Sequence, residues 1–151
     1  MYQRILVPTD GSAISDVAAD AAIAFAKALG SELVAFSVVP PEPVIPSAEG
    51  AIATGGLDTD VLMETARTHV QRVADAAERA GVPCRCETGY GHSAGDEIVA
   101  TVKRLDCDLV FMASHGRRGL SRLIAGSVTQ HVLAYSSVPV LVYRPQLTHR
   151  H

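Results

Sequence analysis

The chain has 151 residues, 48% of them apolar and 19% charged, with a net charge of −3. That length suits one domain, residues 1–151, with a core of its own, and the composition sets it apart from disordered chains. No basic run exceeds Arg117-Arg118, which argues against a nucleic-acid partner; no apolar stretch nears the ~20 residues that span a bilayer.

In chain order, Tyr2–Pro8 reads as a buried strand that stops at a proline. Ser12 caps a helix whose apolar face is expected to be Ile14, Val17, Ala18, Ala21, Phe25 and Leu29, closed by Gly30. Glu32–Val39 is a second strand, rich in β-branched and aromatic residues. Residues 40–57 hold four prolines and three glycines, so regular structure is not expected there. A segment of that length in a compact domain is usually functional or mobile. Asp58 caps a long helix with Leu62, Ala66, Val70, Val73 and Ala77 on one face, ending at Gly81 and Pro83.

Pro83–Thr88 is a third strand, and Ser93 with Asp96 forms a capping-box pattern that opens a helix through Leu105. Leu109–Ala113 is the fourth strand. A glycine-rich stretch leads to a helix over Ser127–Tyr135, and Val138–Tyr143 is the fifth strand. Near-continuous apolar strands alternating with helices predict a parallel sheet with helices on both faces. The N-terminus has no signal-peptide pattern. Three cysteines (Cys84, Cys86, Cys107) are expected to be reduced and buried. Both features place the chain in the cytoplasm. Cys84 and Cys86 lack a second Cys/His pair at the spacing a zinc site needs.

Ligands in such sheets bind beyond the carboxyl ends of the strands, where strand order reverses. Two loops qualify. In the first, Asp10 offers a carboxylate suited to ribose hydroxyls or a magnesium ion, although Asp10 and Ser12 serve equally well as caps of the next helix. In the second, Gly116 and Gly126 admit positive φ and close approach, and Gly126-Ser127-Val128-Thr129 opens a helix whose free N–H groups and dipole attract an anion. The Ser127 and Thr129 hydroxyls add donors. The bland alternative is a connector with ordinary capping. His115 reads as a loop histidine without a nucleophile to serve, and His69 and His131 as helix-surface or half-buried side chains. The G-x-x-x-x-G-K-[ST], G-x-G-x-x-G and G-x-S-x-G patterns are all missing from the places where they would act.

Arg4-Ile-Leu-Val-Pro-Thr-Asp-Gly-Ser12 and Ala113-x2-Gly116-x9-Gly126-Ser127, followed by Val138-Pro-Val-Leu-Val142, resemble the universal stress protein family over essentially the whole chain. The family's motif is G-x2-G-x9-G-[ST], and Ala113 stands at its first glycine. A methyl there would hinder close approach only where φ is positive. The expected fold is a Rossmann-like, doubly wound five-stranded parallel sheet in the order 3-2-1-4-5. The resemblance implies bound ATP: Pro8, Thr9 and Asp10 on the ribose and adenine side, and Val38, Met112 and Ala113 against the adenosine. Gly116, Gly126, Ser127, Val128 and Thr129 would hold the phosphates, with Arg117 beside them and Asp10 toward Mg2+. The apolar terminal strand Val138–Tyr143 is an edge that invites a homodimer. No catalytic residue is assigned. The function expected is an ATP-binding regulatory or stress-response protein with an unidentified protein partner; the alternatives are a slow ATP hydrolase or phosphate-transfer enzyme, and an interaction module with a vestigial pocket.

Overall fold

The computed structural model describes residues 1–41, 45–46, 52–53, 58–115 and 125–145. In chain order the elements are β1 (Arg4–Pro8), α1 (Ala13–Leu29), β2 (Glu32–Val39), β3 (Ile45–Pro46), β4 (Ile52–Ala53) and α2 (Thr59–Ala80). They continue with β5 (Cys84–Tyr90), α3 (Ala94–Arg104), β6 (Leu109–Ala113), α4 (Ser127–Tyr135) and β7 (Val140–Tyr143). Five strands form one sheet in the order β5-β2-β1-β6-β7, and every pair in it is parallel. This is the expected 3-2-1-4-5 arrangement, with a short antiparallel pair set apart.

That pair is a correction to the reading of residues 40–57. Ile45 lies opposite Ala53 and Pro46 opposite Ile52. The β-branched isoleucines favour extended backbone, and a ring-fixed proline φ is compatible with it. β1 starts at Arg4, two residues later than expected, and two further strands start later because proline has no N–H to give a ladder. β5 starts after Pro83, whose carbonyl still accepts from Leu33 N–H (2.8 Å), and β7 starts after Pro139, whose carbonyl accepts from Val110 N–H (3.0 Å). β5 also runs on to Tyr90, paired with Val39.

Successive residues of a strand face opposite sides of the sheet, and the core divides accordingly. Ile5, Val7, Leu33, Ala35, Leu109 and Phe111 pack on one side with Ala22 and Ile23 of α1 and Val70, Val73 and Ala77 of α2. Leu6, Val34, Phe36, Val110 and Met112 pack on the other with Ile98 and Val102 of α3 and Val132 of α4. α1 is rotated from its expected face: it buries Ala18, Ala19, Ala22, Ile23 and Ala26 while Val17 and Leu29 are exposed. Alanines let the helix axis come close to the strands, and the larger side chains go to the rim. The thiols also depart from expectation, since only Cys107 is buried; Cys84 is half-buried and Cys86 exposed on the edge strand. No described helix is long and apolar enough to cross a membrane.

Candidate functional site

β1 pairs with β2 on one side and β6 on the other, and the chain leaves their carboxyl ends through the two loops singled out above. The first is held by a run of small hydrogen bonds. Gly11 N–H donates to Thr9 Oγ1 (3.2 Å), Thr9 and Ser15 share a bond between hydroxyls (3.2 Å), and Ser15 Oγ donates to the Ser12 carbonyl (2.9 Å). Thr9 N–H is anchored to the Phe36 carbonyl of β2 (2.8 Å). Asp10 Oδ1 accepts from Ser12 N–H (3.0 Å), a local Asx bond, and Ser12 Oγ accepts from Ser15 N–H (3.2 Å) to cap α1. Ser12 is therefore the cap proper, and Asp10 shapes the turn in front of it.

In the second loop, Ala113 ends β6 paired with Tyr143. Asp106 is the one described non-glycine residue with positive φ, so the methyl at the family's first glycine position meets no backbone strain. Gly126 is a correction: its φ is −60° and ψ 161°, extended rather than left-handed. A Cβ on it would touch His115 Cα at 3.6 Å and the Ser114 carbonyl at 3.7 Å, ordinary contacts. The fold itself tolerates a side chain there; what glycine preserves is open space at the start of α4. Thr129 is a second correction. Its buried hydroxyl donates to the Ala113 and Ser114 carbonyls (3.1 and 3.3 Å), so its hydrogen clips α4 to the end of β6 and is not offered to a ligand. Gly126 N–H donates to the same Ser114 carbonyl (2.9 Å).

α4 has no side-chain cap and no acid in its first turn. Gln130 N–H is the first to bond back into the helix, to the Gly126 carbonyl. The N–H groups of Ser127, Val128 and Thr129 have no partner among the described residues. Together they form a concentrated patch of positive potential.

The two loops border one cleft of about 470 Å³. Of the residues anticipated from sequence, Pro8, Thr9, Asp10 and Val38 line one part of it, and Met112, Ala113, Gly126, Ser127, Val128 and Thr129 the other. Gly116 and Arg117 lie outside the described residues. The structure adds Ser15, Phe36, Pro40, Ala94, Ile98 and His115. Phe36 was within reach of a period-two reading, since it shares a face with Val38. Ile98 and Ala94 are four apart on α3, and only the tertiary fold brings that helix to the cleft. Phe36, Val38, Pro40, Ile98 and Met112 make a largely apolar wall, suited to a flat ring. His115 Nδ1 bonds Ser114 Oγ (3.1 Å), while its buried Nε2 has no hydrogen-bond partner among the described residues.

The Cys84 and Cys107 thiols lie at the amino ends of β5 and β6, away from the cleft, and burial pushes them up to about 11, which keeps them protonated at neutral pH. Among the described residues no group of three His, Cys, Asp or Glu side chains could hold a metal on its own. Asp10 could contribute one carboxylate oxygen to a hard cation, whose remaining ligands would then come from phosphate oxygens and water.

Comparison with known proteins agrees with this fold. The pattern described as the universal stress protein family matches residues 1–144. The chain is 35% identical over 146 residues to universal stress protein MJ0531 of Methanocaldococcus jannaschii, covering 95% of this chain and 83% of that one. The solved structure of MJ0577 superposes with a TM-score of 0.80 at 27% identity, covering 97% and 98% of the two chains; that protein is a universal stress protein of the same organism. A universal stress protein from Archaeoglobus fulgidus, solved in complex with dAMP, shares the fold with a TM-score of 0.64 at 17% identity, covering 93% and 97%.

Proposed function

The chain belongs to the universal stress protein family, and from that premise we propose that it is a regulatory protein that binds ATP with Mg2+ in the cleft between the loops after β1 and β6. One observation carries the reading: a single cleft joins the apolar wall of Phe36, Val38 and Met112 to the uncapped start of α4, with Asp10 on its border. The wall suits a purine, and the α4 N–H groups suit a phosphate. Asp10 takes the ribose and, through a divalent ion, the phosphate chain. The relative solved with dAMP supports an adenine nucleotide as the ligand class. The extended backbone at Ala113 removes the main argument for a vestigial pocket.

The same groups favour holding ATP over consuming it. Backbone N–H groups that hold a phosphate equally well in ground state and transition state lower the dissociation constant and leave the chemical barrier where it was. Fast phosphoryl transfer needs a positioned nucleophile and cations on the transferred group, and the described lining brings one carboxylate and no amine or guanidinium. Gly116 and Arg117 belong to the same phosphate site in this reading. Residues 1–151 act as one domain in the cytoplasm, paired as a homodimer through Val138–Tyr143, and a protein partner reads the occupied state. β7 is an edge strand, and the neighbouring α4 exposes Leu133 and Tyr135.

The test is to denature freshly purified protein and identify what it releases. Adenine nucleotide at near one equivalent per chain is expected. Protein that releases none, and gains no thermal stability when ATP and Mg2+ are added, overturns the reading.

A further inference from the structure

Gly11 follows Asp10 and has φ +75°, a conformation that side chains rarely adopt. The space a side chain would need there is already taken. A Cβ built on Gly11 would come within 2.7 Å of His69 Cε1, and closer still to Nε2 and Cδ2 of the same ring. His69 belongs to α2, which otherwise packs on the sheet through Val70, Val73 and Ala77. The imidazole therefore lies against the outside of a loop whose inside borders the cleft.

α2 holds the same region at a second point. Arg72, three residues on and so on the same face of the helix, forms an ion pair with Asp16 of α1. Around the first of these contacts are the bonds that shape the loop, Gly11 N–H to Thr9 Oγ1 and Ser12 N–H to Asp10 Oδ1.

We propose that His69 is a positioning residue for the nucleotide site: its ring, filling the space over Gly11, holds the Asp10 turn in its binding shape and makes α2 the element through which that shape is controlled. This rests on the reading of the cleft as a nucleotide site. The ring acts on the loop, and on the ligand through Asp10.

Two measurements on the intact chain test it. The first needs no ligand. Amide hydrogen exchange at Gly11 and Ser12 in His69→Ala is expected to speed up about tenfold or more, with exchange in β1 and β6 unchanged, because local opening is governed by the contacts that close it. The second is calorimetric titration with ATP and Mg2+. His69→Ala is expected to raise Kd about tenfold, and His69→Gln, whose amide reaches the place of Nε2, to stay within about threefold of the wild type. In an Asp10→Asn background the His69→Ala change is expected to cost less than about twofold, the mark of two residues acting through one another.

Unchanged exchange at Gly11 and Ser12, or a full tenfold penalty that persists in Asp10→Asn, overturns the inference. Wild-type protein that binds no adenine nucleotide overturns the reading of the cleft instead, and the exchange measurement then decides the role of His69 by itself.

Discussion

α3 and α4 cover the same face of the sheet, both start at the carboxyl ends of its strands, and both lend their first residues to the cleft. They are finished in opposite ways. At α3 the Ser93 hydroxyl accepts from Asp96 N–H (3.2 Å), and Asp96 and Glu97 bring two carboxylates to the first turn. At α4 the cap is Gly126, which has no side chain to offer, and the first turn holds no acid. A side-chain cap typically contributes about 1 kcal/mol, and each acid near a helix start about 0.3–1 kcal/mol. α4 forgoes that stabilisation. The lesson is that a helix start left open beside a cavity is one that suits an outside anion, whereas a start already supplied with carboxylates repels it.

The largest expected effect comes from closing the open start. Gly126→Leu should fill the space before Ser127 and abolish nucleotide binding. At 100 times Kd the ligand contributes ~2.7 kcal/mol to wild-type stability, roughly 5–10 °C in Tm for a chain of this size. Thermal melts with and without ATP and Mg2+ should show that increment vanish; an increment that survives breaks the comparison.

A middle-sized effect should come from making α4 resemble α3. Ser127→Asp places a carboxylate in the first turn. The unliganded protein should gain about 0.3–1 kcal/mol, while affinity for ATP should fall about tenfold or more. Opposite signs in a denaturant melt and in a titration are the outcome that sharpens the argument. If both rise together, the α4 start is not where the phosphate sits.

The smallest effect is expected at the closed start. Ser93→Ala removes the α3 cap, costing about 1 kcal/mol and about 2–4 °C in Tm, with Kd for ATP within about twofold of the wild type. A larger loss of affinity would mean that α3 also carries the ligand.

Much of this fold could be read from the chain because its local signals agree. Leu33–Phe36 and Leu109–Met112 are unbroken apolar runs, as strands buried on both faces must be. Gly30 and Gly81 mark helix ends at left-handed caps. The face of α1 was misread because hydrophobicity ranks Val17 and Leu29 above alanine, whereas close approach to a sheet ranks them below it. The strand-end residues of the cleft were legible because they stand beside the two motif segments, after β1 and after β6. Ala94 and Ile98 were not singled out, since their place depends on which face α3 covers. The task of Thr129 was hidden for a related reason. Whether a hydroxyl serves a ligand or the backbone depends on where the β6 carbonyls point, and no spacing along the chain reports that.

All five strands of the sheet run the same way, so the molecule has two unlike poles. The cleft occupies the carboxyl pole. At the other, Gln3 and Arg4 N–H groups donate to Asp108 and Arg4 pairs with Glu32. Met1, fully exposed, precedes β1 at that second pole. At ~3.3 Å per residue, the length of β1 puts it about 16 Å or more from the cleft. A dye, an affinity tag or a surface tether attached there would leave the pocket facing solution. A chip carrying the chain by its N-terminus would therefore present every copy with its cleft outward.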